Sequence, residues 1–128
     1  MSYDVGFAID GDRVELNAPL DLRGGTYVVG GTTEAWLNIT YNYVNVFREL
    51  FGKDGIRALY SFPSTEVAIR LTNALASLNT LTIENRPCTC HDTLDCYWAV
   101  TKDNVRACLE NLLQLSRAVP PEAILEGD

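Results

Sequence analysis

Residues Arg23–Phe51 read RGGTYVVGGTTEAWLNITYNYVNVFRELF, and a change of period inside this stretch decides the fold. Leu37, Ile39, Tyr41 and Tyr43 alternate with Asn38, Thr40 and Asn42. A period of two puts the apolar set on one face and the amides and hydroxyl on the other, as in a half-buried strand. Beyond it, Val46, Phe47 and Leu50 fall at helical spacing, and Gly52 stands where a helix C-terminal glycine belongs. A strand therefore feeds a helix through an Asn/Thr-rich junction.

Towards the N-terminus the pattern stays at period two. Tyr3–Ile9 reads as a first strand with Tyr3, Val5 and Phe7 on one face. Asp10-Gly11-Asp12 is a hairpin turn, since Gly11 accepts a positive φ. Arg13–Leu16 returns, and Pro19 is expected to end regular pairing. Thr26–Val29 is a short third strand between two glycine pairs, and Ala35–Tyr41 the fourth. Towards the C-terminus the chain turns helical: Val44–Phe51, a short Asp54–Tyr60, and a long helix opened by Pro63 with Ser64 as its N-cap. Val67, Leu71, Leu75 and Leu78 form that helix's buried stripe. Asn79–Asp95 is irregular. Thr101 caps a last helix whose Val105, Cys108, Leu109, Leu112 and Leu113 or Leu115 face inward, and Pro120-Pro121 stop it. The tail Ala123-Ile124-Leu125 is a short strand or packed coil. The expected class is α+β: an antiparallel four-stranded meander in the N-terminal third, then helices packed on one face. Residues 1–128 form a single domain by size.

Composition narrows the function. The apolar share is 47%, the charged share 21% and the net charge −7. Residues 1–22 hold five acids against Arg13, and residues 122–128 add Glu122, Glu126 and Asp128, while the remainder balances. If the two ends meet, they make an acidic patch, and wrapping nucleic acid by its phosphates is disfavoured. No apolar run reaches membrane-span length. The N-terminus lacks a basic region followed by an apolar one, so a cytoplasmic protein with reduced cysteines is expected.

Two stretches invite chemistry. Cys88, Cys90, His91 and Cys96 are soft ligands within nine residues and could hold zinc. Their C-x-C-H-x4-C spacing departs from zinc-ribbon patterns, so the alternative is a loop of free thiols. The polar strand face, Asn38, Thr40 and Asn42, with Trp36 and Tyr43, could line a pocket for a planar hydrogen-bonding ligand. Its alternative is a solvated sheet face, or amides that satisfy backbone groups at the strand–helix junction. The glycine pairs are not a P-loop, because no Gly-Lys-Ser/Thr follows. No nucleophile–base or paired-carboxylate arrangement stands out, so a non-enzymatic protein is expected.

The segments Gly24-Gly25-Thr26-Tyr27 and Gly30–Tyr43 (GGTTEAWLNITYNY) resemble a family of small uncharacterised proteins of bacteriophages and mobile elements. The resemblance continues through Phe51-Gly52, Gly55–Tyr60, Tyr97-Trp98, Thr101 and Gly127-Asp128. The Cys88–Cys96 cluster is not part of that pattern. The resemblance implies an accessory protein of the bacterial cytoplasm, a class rich in inhibitors of host defence. The leading expectation is an anti-CRISPR-type inhibitor that binds a defence protein or effector complex. The alternatives are a sponge for a nucleotide immune signal, and a structural or regulatory phage protein.

Overall fold

The structure, a computed structural model, describes residues 2–22, 32–88, 94 and 96–128. Among these the fold is α+β, with an antiparallel sheet and three α-helices. The strands are β1 (Ser2–Ile9), β2 (Asp12–Arg13), β3 (Glu15–Leu20), β4 (Thr32–Glu34), β5 (Trp36–Thr40) and β6 (Ile124–Gly127). The helices are α1 (Val44–Phe51), α2 (Ser64–Thr80) and α3 (Lys102–Ala118), with 3-10 turns at Tyr41–Tyr43 and Gly55–Leu59.

The central strand is β1, paired antiparallel with β2, β5 and β6. Asp10 (φ 51°) and Gly11 (φ 82°) form the tight turn into β2, both left-handed as a two-residue hairpin loop requires. Phe7 then donates its N–H to the Ala35 carbonyl (3.0 Å) and accepts from the Val14 N–H (3.0 Å). A strand residue directs both groups to one edge, so β2 and β5 share that edge of β1. The opposite edge takes β6, which is capped in turn by backbone bonds from Ser61 to Leu125 (2.8 Å) and from Leu125 to Phe62 (3.0 Å). The sheet therefore leaves β6 covered, which blunts edge-to-edge association.

This order departs from a meander. The fourth strand of the main sheet comes from the C-terminal tail, and β3 and β4 pair in a separate two-stranded ladder. Pro19 does not end pairing either, because Leu20 pairs with Thr32 after a register shift in β3. A proline on an outlying strand beside an irregularity removes no obligatory ladder bond. The expected strand Thr26–Val29 and both glycine pairs lie outside the described residues. The expected strand Ala35–Tyr41 is β5, one residue shorter at each end, with Ala35 at the break that separates it from β4.

Helices cover the face of β1 that carries Tyr3, Val5 and Phe7. These join Leu37, Ile39 and Leu125 in one core with Phe47, Leu71, Leu109 and Leu112. Helix α1 stops at Gly52 (φ 99°), whose N–H reaches the Arg48 carbonyl at 3.0 Å. The buried stripe of α2 is Val67, Leu71, Ala74 and Leu78, so Ala74 replaces the expected Leu75. Ser64 is not the N-cap. It is the first helical residue, follows Pro63, and uses its Oγ to donate to the Pro120 carbonyl at 3.0 Å. That bond ties the start of α2 to the end of α3. Thr101 does cap α3, accepting from the Asn104 N–H at 3.1 Å, an arrangement worth about 1 kcal/mol.

Candidate functional site

The five residues of the polar-strand site do not converge on one pocket. The strand ends at Thr40, because its Oγ1 accepts the Asn42 N–H (3.2 Å) and turns the chain into the 3-10 segment. Period two is lost there, and Tyr41 and Tyr43 are helical rather than extended. Asn42 donates Nδ2 to the Trp98 carbonyl at 3.0 Å. Tyr43 is fully buried and its hydroxyl donates to the Tyr97 carbonyl. Three of the five thus satisfy backbone groups where strand, 3-10 turn and the loop before α3 meet.

Trp36 and Asn38 face the other way, on the side of the sheet away from the helices. Asn38 is exposed and donates Nδ2 to Ser2 Oγ at 2.8 Å. Trp36 lies across Gly6, its register partner, and the Arg13 guanidinium stacks 3.9 Å from the indole centroid. Its Nε1 is buried with no partner among the described residues. Around Trp36 a cleft of about 360 Å³ is lined by Arg13, Val14, Glu15, Thr33 and Glu34.

The same face collects charge from both ends of the chain. In β6, Glu126 lies opposite Gly6, and Asp128 follows beside Asp4. The Asp4 N–H donates to Asp128 Oδ1 at 2.9 Å, and the Asp128 N–H to the Asp4 carbonyl at 3.4 Å. The two acidic ends do meet. Asp4 is paired with Arg13 at 3.3 Å, an exposed contact worth under about 1 kcal/mol. Arg57 donates Nε to the Asp128 carbonyl (2.8 Å) and lies 5.1 Å from the Tyr3 ring. Tyr60 donates to the same carbonyl at 3.3 Å, and burial pushes its phenol up to about 12, opposed by Arg57.

Of the cysteine–histidine set, Cys88 is buried and Cys96 half-buried, while Cys90 and His91 lie outside the described residues. No group of three metal-ligating side chains is found among the described residues. Cys108 is buried on α3, and desolvation pushes its thiol up to about 12. Burial raises the Tyr43 and Tyr97 phenols as well, so all three stay protonated at neutral pH.

Sequence reasoning missed Arg13, Glu15 and Glu34 as neighbours of Trp36, and Glu126 across β1 from it. The unbalanced acidity of residues 1–22 and 122–128 was visible, but the register that joins the two ends was not. No helix among the described residues is long and apolar enough to cross a membrane. No known protein family, curated protein or solved structure matches the chain.

Proposed function

We propose that the chain is a non-catalytic binding protein of a phage or mobile element that antagonises a bacterial defence system in the host cytoplasm. On this reading, the sheet face opposite the helices occupies a basic, nucleic-acid-binding surface of an effector complex. One observation carries it: the β1–β6 pairing gathers Asp4, Glu126 and Asp128 on the face where Glu15 and Glu34 flank Trp36. Five carboxylates stand there, with Arg13 on Asp4 and Arg57 on the Asp128 carbonyl as the cations. A tryptophan and an arginine at the centre of such a face are the residue types that anchor interfaces. The surrounding acids raise the association rate with a basic partner and make it fall with salt. The origin and the defence context come from the sequence resemblance alone.

The test is capture of effector complexes from a host carrying defence operons, together with relief of interference against phage. The wild type is expected to retain an effector at low salt and release it as salt rises. Trp36→Ala and Glu126→Lys should each lose capture while remaining folded. If no effector co-purifies and interference is untouched by the wild type, the reading is wrong.

A further inference from the structure

A second concave feature lies between α1 and the extended segment after α2. It encloses about 220 Å³, below the roughly 300–1,000 Å³ of drug-sized sites. One wall is a single stripe of the 3-10 turn and α1, where Asn42, Asn45, Val46 and Glu49 follow one another at helical spacing. The facing wall brings Leu81, Ile83 and Arg86.

The cleft is built around opposed, separated charges. Arg86 is placed by its main chain, donating to the Val100 carbonyl at 3.0 Å and accepting from the Val100 N–H at 2.8 Å. Its exposed guanidinium makes no ion pair among the described residues. Glu49 and Glu84 line the same cleft, yet neither comes within the 4.0 Å of an ion pair with it. Asn42 uses one Nδ2 N–H on the Trp98 carbonyl, which leaves its Oδ1 acceptor and a second N–H for a ligand. Between these groups the lining is apolar, with Val46 on one wall and Leu81 and Ile83 on the other.

We propose that this cleft binds a small zwitterion with an apolar side chain, a free amino acid of leucine or isoleucine size. Its carboxylate pairs with Arg86, in the forked geometry that guanidinium and carboxylate share. Its ammonium is held by Glu49 and the Asn42 acceptor, and its side chain lies between Val46 on one wall and Leu81 and Ile83 on the other. A nucleotide fits less well, because its phosphate meets two carboxylates with one guanidinium to offset them. The cleft is distinct from the sheet face, so this site neither requires nor supports the inhibitor reading.

The experiment is an amide-resolved NMR titration of the full chain with L-leucine, L-leucinamide, N-acetyl-L-leucine and adenosine monophosphate. L-leucine is expected to give saturable shifts at Asn42, Asn45 and Glu49. Leucinamide lacks the carboxylate and N-acetyl-leucine the ammonium. Loss of a charge-assisted bond is worth tenfold or more, so each should bind at least about tenfold more weakly. Arg86→Gln and Glu49→Gln should weaken L-leucine by similar factors, with the remaining spectrum unchanged. The proposal is overturned if L-leucine gives no saturable shift, if both analogues bind as tightly, or if the nucleotide binds in its place. Because the analogues are compared on the wild type, the outcome stands even if a variant fails to fold.

Discussion

Replacing Gly6 by alanine tests the packing that seats Trp36 on the sheet. A Cβ at Gly6 would lie 2.3 Å from Trp36 Cγ, 2.4 Å from Cδ2 and 2.5 Å from the Ala35 carbonyl oxygen. The indole can rotate away, but the carbonyl is backbone and is held by the Phe7 N–H at 3.0 Å. The central strand must therefore shift, and overpacking of this kind costs about 1–3 kcal/mol. Against it, exchanging glycine for alanine restricts the unfolded chain and recovers about 0.4–1 kcal/mol. With backbone among the clashing atoms, the first effect falls in the upper half of its range, at about 2–3 kcal/mol, and wins, leaving a net loss of about 1–2.6 kcal/mol. For a chain of this size that lowers Tm by about 3–10 °C. Urea unfolding followed by circular dichroism reads the free energy, and thermal melts read Tm. In a double-mutant cycle, Trp36→Ala should return only part of the loss, since the Ala35 carbonyl remains. A Gly6→Ala variant within 0.5 kcal/mol of wild type would refute the close approach of Trp36 and Ala35 to β1.

Four further outcomes are expected. Tyr43→Phe leaves the Tyr97 carbonyl without its donor, and unfolding measurements should show a loss of about 1–3 kcal/mol. Asn42→Ala removes the bond to Trp98 and should cost about 1 kcal/mol, whereas Asn38→Ala, whose exposed side chain bonds only Ser2 among the described residues, should stay within about 0.5 kcal/mol; equal losses would contradict the division of these asparagines between junction and surface. Thr101→Ala should destabilise by about 1 kcal/mol through loss of the α3 cap, and Thr101→Ser should restore most of it. Stability should fall at alkaline pH: Cys108 is raised from 9.0 to about 12 and Tyr60 from 10.0 to about 12 in the folded state. The unfolded chain releases these protons first, so stability is level below about pH 9 and declines as pH rises from there towards 12. A Tm that holds between pH 9 and 11, or Cys108 alkylated at pH 8 without unfolding, would contradict the buried thiol.

The local chemistry of this chain was legible because each signal is set within a few residues. The Asp10-Gly11 turn, α1 with its Gly52 stop and the Thr101 cap depend on φ preferences and hydrogen bonds at close range. So does the alternation of Tyr3, Val5 and Phe7, and with the helical stripes it determined the α+β class. Other features needed partners distant in sequence. Ser64 reads as a cap, but Pro120 takes its hydroxyl from the far end of α3. Asn38, Thr40 and Asn42 read as one polar face, but the Thr40 side chain ends the strand and sends Asn42 to Trp98. Pro19 reads as a breaker, yet an outlying ladder tolerates it. Most of all, nothing local shows that Ile124–Gly127 lies along β1 between Tyr3 and Ile9. That pairing is a matter of long-range register, chosen because it buries Leu125 against the core, and it alone brings the two acidic ends onto one face.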